Sequence, residues 1–384
     1  MRIGFDLRVL AKGTRSGIEE YTINLLSSLL PLAGRHQCVL FYNALKKEKI
    51  DFEWLKLPNV TLYESSIPNK LIEYSTFLFN WPKIDRILGG VDVFLSPHFT
   101  SVAISGRSKK ILVFHDLSFL YYPEFFSWRK NWWHLISIPK KQALAASDII
   151  AVSESTKKDL IKFYGADEKK IEVIYQAPNN EFRPMDRNNE KLSAFKKKHG
   201  LPDKFILFVG TAEPRKNIQS LISAYNKMRD ENRNISHGLV IAGQYGWLYR
   251  NIILMAKSSE YSDKIIITGA IKPEERVLLY NLADIFVYPS FFEGFGLPPL
   301  EAMSCGIPTI VSNSTSLTEV VSSAAITVDP YNVDRLSFFM GILIKDEKLK
   351  NFLSKKSIER AREFSWEESA KKILRIIEKY EDRN

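Results

Sequence analysis

The chain has 384 residues, 45% apolar and 26% charged, which excludes wholesale disorder and is too long for one ordinary core. Its two cysteines, Cys38 and Cys305, exclude a disulfide scaffold and a cysteine-rich zinc site. The formal net charge of +10 admits nucleic acid, anionic lipid or phosphorylated ligands and does not choose among them.

The opening MRIGFDLRVL alternates as a first strand does and lacks the pattern of a signal peptide. The polar, glycine-bearing KGTRSG (12–17) follows, then IEEYTINLLSSLLPL with Ile18, Tyr21, Leu25 and Leu29 at helical spacing. Strand, glycine loop and helix make the first unit of an α/β domain. Short apolar runs recur at 38–42, 91–96, 110–116, 148–153 and 170–175. Such runs suit a mainly parallel sheet covered on both faces. SESTKKDLIKFYG (153–165) predicts a capped helix ending at glycine.

The polar stretch NNEFRPMDRNNEK (179–191) predicts a domain boundary, with domains at 1–185 and 186–365. KFILFVG (204–210) restarts the pattern, and a helix is expected from about 217 to 227. Strands are expected at 238–243, 264–269, 284–290, 308–312 and 324–330. SWEESAKKILRIIEKYE (365–381) predicts a final amphipathic helix, with Ser365 and Glu368 at capping-box spacing. No run is long and apolar enough to cross a bilayer. A cytoplasmic protein is expected, or one resting on the inner face of the cell membrane.

No GxxxxGK[ST], GxGxxG or HExxH occurs, and the six histidines are scattered, so the expectation is no metal. Three segments could carry chemistry. In SFFEGFGLPPLEAMSCGIPTIVSN (290–313), Glu293 precedes Gly294-Phe295-Gly296, and Glu301 lies eight residues later in the expected first turn of a helix. The two carboxylates could fold toward one pocket and take hydroxyls of a sugar and a ribose. They could equally be a solvated loop residue and a helix-start carboxylate. In FVGTAEPRKN (208–217), Gly210 is followed by Arg215-Lys216 just before a helix, which is a diphosphate site or a surface basic pair. In VFHDLSF (113–119), His115 ends a strand and faces either a cleft or the core.

RSGIEEY, GTAEPRKN and LYNLADIFVYPSFFEGFG with EGFGLPPLEAM, taken together, resemble the retaining nucleotide-sugar glycosyltransferases of family 4 (group 1). The likeness covers nearly the whole chain. It implies an α/β GT-B fold, with two facing Rossmann-like domains, a cleft between them, and helix 366–384 returning to the first domain. It implies that Arg215 and Lys216 grip the donor diphosphate and that Glu293 lies by the donor sugar. Glu301 would bind the ribose. Gly17, Gly210, Phe295, Gly296 and Leu297 would line the nucleotide-sugar site. His115 would contact the donor sugar, with Asp116 supporting it. No cofactor is implied beyond the nucleotide-sugar donor.

HDLSFLYYP and FDLRVL look most like transferases that move mannose from GDP-mannose in surface-polysaccharide synthesis, acting on a saccharide or polyprenyl-diphosphate-linked acceptor. Glu19 stands where the family often has a second glycine, and Arg15 could balance its charge. A UDP-sugar transferase and a catalytically silent nucleotide-sugar scaffold are the alternatives; nucleic acid is not an expected partner. Residues 101–141 hold seven basic and two acidic residues among many aromatics, so they are expected to face a membrane-proximal acceptor, the alternative being that the aromatics are ordinary core or cleft lining and the lysines a solvated face.

Overall fold

A computed structural model describes residues 1–12, 17–45 and 50–381. Most of the KGTRSG loop, including Arg15, lies outside the described residues. The chain divides into two units, each built on one parallel sheet.

The first unit carries β1 (Arg2–Asp6), β2 (Gln37–Asn43), β3 (Val60–Ser65), β4 (Val93–Ser96), β5 (Lys109–Phe114), β6 (Asp148–Ala151) and β7 (Ile171–Val173). Their order is β3-β2-β1-β4-β5-β6-β7, every pair parallel. The inner strands are apolar throughout because helices cover both faces; Ile111, Leu112, Val113 and Phe114 of β5 are fully buried. β3 was not anticipated. It is an edge strand, and most of its side chains reach solvent.

The second unit carries β8 (Phe205–Val209), β9 (Gly238–Ala242), β10 (Ile265–Gly269), β11 (Ile285–Tyr288), β12 (Thr309–Ser312) and β13 (Ile326–Val328). Their order is β10-β9-β8-β11-β12-β13, again parallel. Strand order reverses between β8 and β11. Open parallel sheets bind ligands at such a switch point, beyond the carboxyl ends of the strands.

The break between the units falls between Gln176 and Ala177, ahead of the polar stretch that marks it in composition. Residues 177–185 are pinned to the second unit. Phe182 meets Tyr280 edge-on at 5.7 Å, and the Asn281 side chain bonds Arg183 O at 3.0 Å and Met185 N at 2.7 Å. A short aromatic segment, Tyr122–Phe126, also groups with the second unit, where Phe125 stacks on Phe291 at 5.8 Å.

From Ser365 onward the chain belongs to the first unit. Ser365 caps the helix Trp366–Glu378 by accepting from Glu368 N–H. Trp366, Ala370, Ile373 and Ile377 form its buried stripe, and the Trp366 ring meets Tyr21 of helix Gly17–Leu32 at 5.4 Å. Each such buried isoleucine stabilises by about 1.5–3 kcal/mol. Ser369 Oγ donates to Tyr175 O at 2.7 Å, and Lys379 and Tyr380 both bond Asp148. Among the described residues, no helix is long and apolar enough to cross a membrane.

Candidate active site

The loops after β8 and β11 build the candidate site of the second unit. Gly210 follows β8, and its N–H donates to Ala242 O at 2.9 Å. Gly243, at φ 147°, makes this approach possible, because a Cβ there would lie 1.9 Å from Gly210 O. The chain then turns through Pro214–Lys216 into Asn217, which is left-handed at φ 55°. The Asn217 amide donates to Pro289 O (3.0 Å) and Pro330 O (2.7 Å). One asparagine therefore ties together three strand-end loops.

That turn brings both cations onto Glu293. Lys216 Nζ donates to Glu293 Oε1 at 2.6 Å and to the Tyr288 hydroxyl at 2.6 Å. Arg215 Nη1 donates to Glu293 Oε2 at 3.1 Å and to Phe292 O at 2.7 Å, and its Nη2 reaches Glu213 at 2.9 Å. Lys216 and Glu293 are buried. Burial pushes the Glu293 carboxyl up, but Arg215 and then Lys216 outweigh it and hold the group at about 2. Burial and Arg215 pull Lys216 down. Within Glu213, Arg215, Lys216 and Glu293, two carboxylates offset two cations, so this cluster is neutral as it stands.

The loop 293–296 is held from below. Glu293 N–H donates to Thr315 Oγ1 at 3.0 Å, and the Ser316 hydroxyl lies 2.8 and 2.9 Å from the carbonyls of Glu293 and Phe295. The Phe295 ring is buried edge-on against Phe364. Gly296 sits at φ 111°, and a Cβ there would meet Leu317 Cδ2 at 2.6 Å. No other residue fits both demands.

Glu301 differs from expectation in position and company. The helix begins at Leu297, with Pro298 and Pro299 in its first turn, where missing N–H groups cost nothing. Glu301 is therefore its fifth residue, beyond the first turn. It is buried and accepts from the Tyr280 hydroxyl at 2.8 Å, with Arg276 at 3.6 Å. The two glutamates thus have separate partners: Glu293 joins the loop after β8, and Glu301 joins the helix Pro273–Leu282 that follows β10.

Two family models match the chain: "Glycosyltransferase Family 4" over residues 15–179 and "Glycosyl transferases group 1" over residues 189–360. The O-antigen chain mannosyltransferase B of Escherichia coli is 32% identical over 260 residues, 67% of either chain. The chain belongs to this glycosyltransferase family. The serotype-specific mannosyltransferase WbdA of Escherichia coli is 34% identical over 265 residues, 68% of this chain, but the chain spans only about a third (32%) of that protein's length. Among solved structures, sucrose-phosphate synthase of Thermosynechococcus elongatus covers 100% of both chains with a TM-score of 0.79 at 18% identity, a likeness of fold. The fold is the α/β GT-B type, with a Rossmann-like sheet in each unit.

In the first unit of this glycosyltransferase, His115 follows β5 and is half-buried. Its Nε2 lies 2.8 Å from Pro97 O at the end of β4, and Tyr21 meets its ring edge-on at 4.7 Å. Burial lowers its pKa below the ordinary histidine value. The ring is therefore neutral at pH 7, donating from Nε2 and leaving Nδ1 as an acceptor. Asp116 is turned toward Ser118, accepting from its N–H (2.9 Å) and hydroxyl (2.6 Å), so Pro97 O orients His115. Gly17 opens the first helix, and a Cβ there would meet nothing within 4 Å. Glu19 is buried in the same turn.

Among the described residues, no group of three His, Cys, Asp or Glu could hold a metal ion. Sequence reasoning missed Tyr288, Glu213, Thr315, Tyr280 and Arg276. Only Glu213 carried a local signal, since it stands two residues before Arg215. The others meet their partners through the sheet.

Proposed function

We propose that this glycosyltransferase moves mannose from GDP-mannose, with retention of configuration, to a saccharide or polyprenyl-diphosphate-linked acceptor in surface-polysaccharide synthesis. The observation that carries the site assignment is Glu293 clamped by Arg215 and Lys216 at the switch point. The named relatives, which are mannosyltransferases, support the choice of sugar.

In this reading, the donor diphosphate takes hydrogen bonds from Arg215 and Lys216 and displaces part of their bonding to Glu293. The carboxylate is then available for sugar hydroxyls. Glu301 receives the ribose, and the backbone of Gly210 and of Phe295, Gly296 and Leu297 lies along the phosphates and sugar. His115 presents Nδ1 to a hydroxyl of the donor sugar. The first helix, from Gly17, contributes to the same donor. The acceptor oxygen bonds the anomeric carbon on the face from which the phosphate departs, and its proton passes to the leaving phosphate oxygen. Negative charge grows on the diphosphate as that bond breaks, and Arg215 and Lys216 stabilise it. These two cations can supply the electrostatic role that a metal plays elsewhere.

The test is a donor panel of GDP-mannose, UDP-glucose, UDP-N-acetylglucosamine, UDP-galactose and ADP-glucose, with proton NMR of the product linkage and a repeat in EDTA. Turnover of GDP-mannose to an α-linked product, undiminished by EDTA, is expected. Turnover of a UDP-sugar alone replaces the donor assignment. An inverted product ends the retaining reading, and binding without turnover favours a silent scaffold.

A further inference from the structure

The first unit carries an apolar surface that its own fold leaves uncovered. The helix Asn69–Phe79 buries Ile72, Glu73 and Thr76 against the unit. Its opposite side would ordinarily be polar. Instead Leu71, Tyr74 and Leu78 form an exposed stripe at helical spacing. The helix Trp128–Ile136 repeats the arrangement. Only Ile136 is fully buried, Trp133 stacks inward on His98 at 5.7 Å, and Trp128, Trp132 and Leu135 form the outer stripe.

The two stripes are joined. Trp132 Nε1 donates to the Tyr74 hydroxyl at 3.1 Å, one stripe residue bonding the other, and beneath them Trp133 Nε1 donates to Glu73 at 3.4 Å. Phe79, the last residue of the helix Asn69–Phe79, and Trp81 just beyond it are 74% and 63% exposed and extend the surface. Scattered exposed apolar residues are ordinary, but a continuous aromatic and aliphatic face marks an interaction site.

Charge identifies the occupant. Across 69–81 and 127–144 the basic residues are Lys70, Arg129, Lys130, Lys140 and Lys141, all exposed. The only carboxylate is Glu73, which is buried and bonded to Trp133. Tryptophan and tyrosine beside leucine, rimmed by cations with no exposed carboxylate, match the interface of an anionic bilayer.

We propose that this two-helix face docks the glycosyltransferase on an anionic membrane surface. The proposal deepens the reading of a membrane-derived acceptor and rests on that reading for its purpose. It also moves the contact. Of residues 101–141, only the helix Trp128–Ile136 and its basic neighbours take part, and half of the surface comes from 69–81.

Flotation at low salt on vesicles of phosphatidylcholine, with or without about one-third phosphatidylglycerol, tests it. Binding to the anionic vesicles alone is expected, with a blue shift of tryptophan fluorescence. Leu78→Ser with Trp132→Ser should weaken binding about a hundredfold, the scale of two apolar side chains no longer buried. Lys140→Gln with Lys141→Gln should weaken it about thirtyfold, the scale of two cations lost near such a surface. Both double variants should keep wild-type affinity for GDP by calorimetry, which verifies folding. Failure to float on anionic vesicles overturns the proposal, whatever the donor panel gives. So does a concentration-dependent dimer that the Leu78/Trp132 variant dissolves, because a second copy then covers the face. Flotation without sugar transfer leaves the docking intact and counts against the transferase reading alone.

Discussion

Lys216 Nζ and Glu293 Oε1 meet at 2.6 Å across 77 residues of chain, in a buried pocket where neither group is solvated well enough to be charged alone. Each holds the other ionised, and Arg215 adds a second cation on the opposite carboxylate oxygen. The folded carboxyl titrates at about 2 against an ordinary 4.5. Because the folded value is the lower one, the stabilisation is fully present above the unfolded value and drains away as pH falls toward the folded one. Roughly 2 kcal/mol should be lost between about pH 5 and pH 3 from this group. Urea unfolding at the two pH values measures it, and Glu293→Gln should remove that share of the slope. An identical slope in the variant would place the acid sensitivity elsewhere.

The neutrality of the four-residue cluster makes Glu213 a competitor of the diphosphate. It holds Arg215 Nη2 at 2.9 Å. Glu213→Gln should leave Arg215 freer and tighten GDP binding about three- to tenfold, the ~1 kcal/mol scale of a partly exposed pair. Arg215→Ala should lower kcat/KM roughly 10²–10³-fold, as loss of one transition-state donor does. Isothermal calorimetry and steady-state kinetics read the two effects. Weaker GDP binding in Glu213→Gln would mean that the carboxylate positions Arg215 rather than competing for it.

Glu301 and Glu293 should separate in kinetics because their partners differ. Tyr280→Phe removes the 2.8 Å hydrogen bond to Glu301 without adding bulk. A ribose carboxylate that loses its orientation should raise donor KM about three- to tenfold, near the worth of one hydrogen bond, and leave kcat unchanged. Glu293→Ala should mainly lower kcat. Finding the reverse pattern would exchange the two roles.

Gly296 is under two independent constraints, a positive φ and a close approach by Leu317. Gly296→Ala should cost about 1–3 kcal/mol in stability, seen as a lower melting temperature. Adding Leu317→Ala relieves the contact and leaves the backbone strain. Full recovery in the pair would show that the contact alone demands glycine.

His115 is held neutral by burial, so its ring should stay unprotonated below the ordinary 6.5. With the folded value depressed, its contribution is present above the unfolded value and is lost as pH falls below it. NMR titration of the ring resonances follows this directly. A midpoint above pH 7 would remove the assignment of Nδ1 as an acceptor at neutral pH.

Local pattern reached far into this fold. The runs at 110–116 and 204–210 became β5 and β8 because buried parallel strands are written as unbroken apolar stretches. β3 and the helix Asn69–Phe79 went unseen for the opposite reason. β3 alternates but has no fully buried residue and so no unbroken apolar run, and the outer stripe of that helix is apolar where a polar face would have announced it. In the site, Gly296 and Arg215-Lys216 were legible because turns and basic pairs are local features.

The candidates for chemistry can be read from residue order alone: the E-x7-E pair, the Arg-Lys pair and the histidine at a strand end. Which of them meet depends on how the chain folds. Lys216 and Tyr288 lie 72 residues apart, and Tyr280 and Glu301 lie 21 apart on different helices. Such pairs form where parallel strands bring distant loops to one sheet edge, and no local spacing encodes that arrangement. The same holds for the helix Trp366–Glu378. Its stripe shows that it must be buried, and the complementary surface on helix Gly17–Leu32 decides where. Hydrophobic burial is non-directional, so a stripe states how much surface must leave water and not which partner covers it.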